Sequence, residues 1–120
     1  MKIAVMRFEL WIDDADSLKD KRRVVRSVKD KLRRAHGASV AEIEAQDIRN
    51  LAVLGVSMVS SSAPVLARAM DLVVKHLGSR TDARLGELTR RVVDDDTDSE
   101  LSEDELWTEA ERRDAPEGAA

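Results

Sequence analysis

The sequence predicts an α+β domain of the ferredoxin-like plan, β-α-β-β-α-β, over residues 1–93, followed by an acidic tail over residues 94–120. Three observations predict it. Lys2–Ile12 alternates with a period of two. Two later segments carry apolar stripes at helical spacing, each followed by a glycine. Three further runs, Ser39–Ala45, Leu51–Ser60 and about Ala83–Val93, read as strands. Elements in this order close compactly as a four-stranded antiparallel sheet with both helices on one face.

In the first strand Ala4, Met6, Phe8, Leu10 and Ile12 share one face, expected to be the core face, and Ile3, Val5, Arg7, Glu9 and Trp11 share the other. Asp13–Asp16 breaks the strand, and Ser17 is suited to cap a helix because its hydroxyl accepts from a free backbone N–H of the first turn. Asp20 places negative charge where the helix dipole favours it. Leu18, Val25, Val28, Leu32 and Ala35 then form an apolar stripe running to about His36, and Gly37 is the expected stop.

In the second strand Ala41, Ile43 and Ala45 alternate with Glu42 and Glu44, and Gln46–Asn50 reads as a polar turn. Leu54, Val56 and Met58 set the core face of the third strand, where Gly55 marks a bulge or a close approach. Ser60–Pro64 begins the second helix, since proline is tolerated where its missing N–H is not needed, and Leu66, Met70, Val73 and Leu77 form its stripe up to Gly78.

Composition narrows the function classes. The 120 residues suit one domain. With no cysteine, the chain has no disulfide, thiolate nucleophile or cysteine-based metal site, and a cytoplasmic setting is expected. The first residues lack the pattern of a secretory signal, and no run approaches the ~20 apolar residues of a membrane span.

The net charge of −4 hides two opposite parts: residues 1–93 carry 18 Lys/Arg against 12 Asp/Glu, a balance of +6, whereas residues 94–120 carry 2 against 12, a balance of −10. A tail so charged and so poor in apolar residues is expected to be largely disordered. One local exception is a short helix over residues 102–113, with Ser102 and Glu105 as a capping box and Leu101 and Leu106 as a hydrophobic staple.

Several segments resemble the YlxP-like family of small bacterial domains, whose molecular function is not established. They are Ser17-Leu18-Lys19-Asp20-Lys21-Arg22-Arg23-Val24-Val25, Ser39-Val40-Ala41-Glu42, Gln46-Asp47 and Leu54-Gly55-Val56. The resemblance covers residues 1–93 and leaves the tail outside it. It implies a ferredoxin-like fold and a link to translation, because family members are often encoded beside translation-initiation and ribosome-maturation factors.

The first helix dominates the candidate sites, with Lys19, Lys21, Arg22, Arg23, Arg26, Lys29, Lys31, Arg33 and Arg34 opposed only by Asp20 and Asp30. At about 100° per residue, Lys19, Arg22, Arg23, Arg26, Lys29, Arg33 and Arg34 fall away from the apolar stripe. Such a ridge suits a phosphate backbone, with counterion release adding to affinity. The same charges also suit an acidic protein partner, or a solvated face whose stems cover apolar surface.

Base-specific reading is not expected. There is no tyrosine, and Trp11 is the one aromatic placed on the open sheet face. The stacking platform of an RRM and the GXXG loop of a KH domain are both absent. Ile3, Val5 and Trp11, joined by Val53 and Val59, are candidates for a homodimer interface on that face. Gln46 and Asp47 suit either partner contact or turn chemistry, the latter through an Asp47 bond to nearby backbone.

His36 and His76 sit near helix C-termini without further ligands at metal spacing, so neither metal nor cofactor is expected. No enzyme is expected either. The segment where an acylphosphatase-type fold cradles phosphate is here Asp13-Asp14-Ala15-Asp16, which repels it, and no triad or glycine-rich loop appears. The function expected is thus a nonenzymatic, translation-associated accessory protein binding RNA or the ribosome through its first helix. The alternative is a homodimeric protein-interaction or small-molecule regulatory module with no nucleic-acid role.

Overall fold

The computed structural model describes residues 1–95. β1 (Lys2–Trp11), α1 (Leu18–His36), β2 (Ser39–Glu44), β3 (Leu51–Ser60), α2 (Ala63–Gly78) and β4 (Arg84–Asp94) follow one another in the expected order. The sheet has the order β2-β3-β1-β4, with each pair antiparallel. This is the ferredoxin-like plan. β4 runs one residue past the expected domain edge at 93, and the helix expected over residues 102–113 lies outside the described residues.

β1 is central because it is fully apolar on one face. Ala4, Met6, Phe8, Leu10 and Ile12 are all buried under the helices, with Leu54, Val56 and Met58 of β3 beside them. α2 presents Leu66, Met70, Val73 and Leu77 as its periodicity predicts. Burying each such large side chain contributes about 1.5–3 kcal/mol.

α1 departs from expectation on its inner stripe. Val25, Val28 and Leu32 are buried, but Leu18 is only half-buried and Ala35 is exposed. The fourth buried residue is Lys21, one turn ahead of Val25 on the same stripe.

β2 departs as well. Its alternation is real, yet the set facing the helices is Val40 and Glu42, and Ile43 is exposed. β2 ends at Glu44, and Ala45 leaves it in the left-handed region at φ 63°. Gly55 marks a close approach: a Cβ there would come within 3.3 Å of the Ile43 side chain. The register shifts instead in β2, between Glu42 and Glu44, and in β4, between Leu85 and Leu88. Gly37 stops α1 as expected, at φ 61° with its N–H bonded to the Arg33 carbonyl at 2.9 Å.

Candidate nucleic-acid interface

The site begins with how α1 is held. The Ser17 hydroxyl accepts from the Asp20 N–H at 3.2 Å, and the Asp20 carboxylate accepts from the Asp16 N–H at 3.0 Å. These reciprocal bonds satisfy backbone donors that the first turn leaves free.

The next residue, Lys21, is 1% exposed. Its ammonium donates to the carbonyls of Ala45 at 2.6 Å and Ile48 at 2.7 Å, lies 3.4 Å from that of Gln46, and pairs with Glu42 Oε2 at 2.8 Å. A buried ammonium needs all of its protons satisfied, and here the β2–β3 turn wraps around it. The left-handed Ala45 aims its carbonyl into that socket.

Three of the resemblance segments therefore converge at one point: Lys21 from the first, Glu42 from the second and the Gln46 carbonyl from the third. The turn is closed by Lys21 and by the Ile48 N–H on the Ala45 carbonyl at 3.0 Å. The expected Asp47 side-chain bond is not what holds it. Gln46 reaches back to the Glu42 carbonyl at 3.5 Å, and Asp47 is exposed.

With the inner stripe of α1 so anchored, the seven expected cations fall into two groups. Arg22, Arg26, Lys29 and Arg33 succeed one another at four-, three- and four-residue steps along the flank facing β2. Together with Val25, Asp30 and Glu42 they line a groove of about 430 Å³. β2 is the sheet's edge on that side, and Arg33 donates to its Val40 carbonyl at 3.0 Å. Lys19, Arg23 and Arg34 lie outside the groove on the outer crest of the helix, Arg23 facing Asp20 at 3.9 Å. Among the described residues, none of the four groove cations is held in an ion pair.

The open sheet face is divided rather than continuous. Ile3 pairs across the sheet with Val59 and Val93, and Val59 is 65% exposed. Trp11 lies about 20 Å from Val5 along β1. It covers Gly86, where a Cβ would meet its Nε1 at 2.8 Å, and Arg84 sits 5.9 Å from its ring centroid. The Arg7–Glu44 pair crosses the face between these two ends. The expected patch of Ile3, Val5 and Trp11 is thus two patches, and Val53, buried to 3%, belongs to neither surface.

The two histidines, 40 residues apart in sequence, meet at the C-termini of α1 and α2. His36 Nε2 lies 3.3 Å from His76 Nδ1, with ring centroids 5.2 Å apart. Burial, then the neighbouring His76 and Lys31, push the His36 imidazole below its ordinary pKa. The described residues contain no group of three or more metal-capable side chains.

Among solved structures the chain is similar to two designed proteins. It is 8% identical to the de novo designed protein Foldit4, covering 78% of this chain and 98% of that one at a TM-score of 0.47. It is 16% identical to the de novo designed protein LFR1 1, described as having a ferredoxin fold, covering 86% and 94% at a TM-score of 0.42. No curated protein matches. Residues 3–90 match a family described as protein of unknown function, DUF503, and with that span covering most of its length the chain belongs to the DUF503 family.

Proposed function

We propose that this domain is a nonenzymatic accessory protein of translation, acting in the cytoplasm, that holds the phosphate backbone of ribosomal RNA or of a ribosomal particle in the groove between α1 and β2. The observation that carries the reading is the spacing of Arg22, Arg26, Lys29 and Arg33, about one cation per helical turn of 5.4 Å, with no acidic partner in ion-pair contact among the described residues. A cation ladder on a rigid helix engages a backbone without ordering the protein first. The link to translation comes from the YlxP-like resemblance, and two of the segments that carry it, Lys21 and Glu42, build the socket beneath the groove.

The test is co-sedimentation with ribosomal particles and ribosomal RNA. Replacing Arg22, Arg26, Lys29 and Arg33 by Glu should abolish binding while the circular dichroism stays native. Binding that survives these reversals would refute the groove.

A second reading concerns the exposed Val59 beside Ile3 and Val93, which a second copy of the chain would cover as a homodimer. Sedimentation should then show a dimer that Val59→Glu converts to a monomer. A wild type that stays monomeric at high concentration removes this reading.

A further inference from the structure

The groove has a ligand of the right charge on its own chain. We propose that the acidic segment 96–120 docks in the α1–β2 groove of the same molecule and occupies it in place of an external polyanion. Docking itself stands on charge and reach, and only the competition with RNA rests on the function proposed above.

Charge complementarity is the first support. Residues 96–120 carry ten Asp/Glu against two Arg, beginning with Asp96, Asp98 and Glu100 and continuing through Glu103, Asp104 and Glu105. The groove offers Arg22, Arg26, Lys29 and Arg33 without an ion-pair partner among the described residues. On the open sheet face Arg7 and Arg84 already hold Glu44 and Asp13, which leaves exposed Arg91, opposite Val5, against the four cations of the groove.

The point of departure is the second support. Asp95 is held at one end of the sheet, its N–H on the Met1 carbonyl at 3.1 Å and its carboxylate on the Met1 ammonium at 2.8 Å. The register puts Asp94, Lys2 and Ser60 at that end, and Ser39 of β2 enters opposite Ser57, close by. α1 runs toward the same end, since it leads through Gly37 and Ala38 into Ser39. Three strand spacings, about 15 Å, separate β4 from β2. The 25 residues from 96 to 120 reach as far as ~80 Å when extended, so the groove is within range along its whole length. A tether of this kind holds the acidic segment at an effective concentration on the order of millimolar.

The chain's lack of cysteine makes the test direct. An Ala110→Cys variant of the full chain takes one nitroxide label, and amide NMR intensities report which residues it approaches. The proposal expects intensity loss along Arg22–Arg33 and Val40–Glu42 that recovers in about 1 M salt, where the screening length is ~3 Å. The same loss should vanish when Arg22, Arg26, Lys29 and Arg33 are changed to Gln. Loss confined to the neighbourhood of Met1 and Asp95, loss centred on Val5, Ile43 and Val59, or loss seen only when labelled and unlabelled copies are mixed would each overturn it. If docking is shown, RNA should bind a variant with its tail carboxylates changed to amides several-fold more tightly at low salt. If docking is shown and RNA binds neither protein, it is the RNA reading that fails.

Discussion

Lys21 and Arg22 are neighbours on α1, both cationic, and the fold uses them in opposite ways. Lys21 is 1% exposed, spends its protons on two carbonyls and a carboxylate, and fixes the β2–β3 turn. Arg22 stands on the groove flank without an ion-pair partner among the described residues. The difference is one step of about 100° around the helix, which moves a side chain from the core stripe to the β2 side. Density of positive charge alone is therefore a poor guide to function in this helix: what separates the two roles is whether the protein itself satisfies the charge.

Breaking the inner role should have the largest effect. Lys21→Ala leaves the Glu42 carboxylate, itself 19% exposed, and the Ile48 carbonyl without the ammonium, while the Ala45 carbonyl keeps only the Ile48 N–H, and should cost about 3–5 kcal/mol in urea unfolding. The double variant Lys21→Met with Glu42→Leu should recover much of that loss, because replacing both members of a buried pair is nearly neutral. A double variant no more stable than Lys21→Ala would show that the stranded Glu42 carboxylate is not what makes the single change costly.

Breaking the outer role should leave stability within about 0.5 kcal/mol, as for surface changes generally. Polyanion binding should nonetheless fall roughly a hundredfold at low salt when the four groove cations are lost, the equivalent of about 2.7 kcal/mol. Reversing the crest residues Lys19, Arg23 and Arg34 to Glu adds the same kind of charge outside the groove and should weaken binding by a smaller factor. Equal losses from the two sets would mean that α1 acts through its overall field.

The end of α1 gives a smaller, pH-dependent effect. His36 takes its proton at lower pH when folded than the ordinary 6.5 it has in the unfolded chain. Between those values the unfolded chain binds more protons, so stability is present above about pH 6.5 and declines as the pH falls through and below it. His36→Gln should flatten that part of the urea midpoint against pH. An unchanged profile would place the dependence elsewhere.

Much of this was legible in the residues. The core face of β1, the Ser17 cap, the Gly37 stop and the stripe of α2 are local patterns, and local patterns survive folding here. The socket was not legible, because a lysine in a basic run reads as surface and its partners lie 21 to 27 residues away. β2 misleads for a related reason: Glu42 faces inward only because Lys21 is there to meet it. The split of the seven cations could have been found from the four-, three- and four-residue steps of Arg22, Arg26, Lys29 and Arg33, but which flank borders β2 is a tertiary fact. The meeting of His36 with His76 depends likewise on two helices ending side by side.

The most direct test of the groove is the salt dependence of its affinity for ribosomal RNA, measured for the wild type and for Arg26→Gln. Four phosphate contacts predict a slope of log K against log salt near −3.6 on a duplex, and loss of one cation should bring it down by about 0.9. A slope that Arg26→Gln leaves unchanged would contradict the assignment of the α1–β2 groove as the phosphate-binding surface.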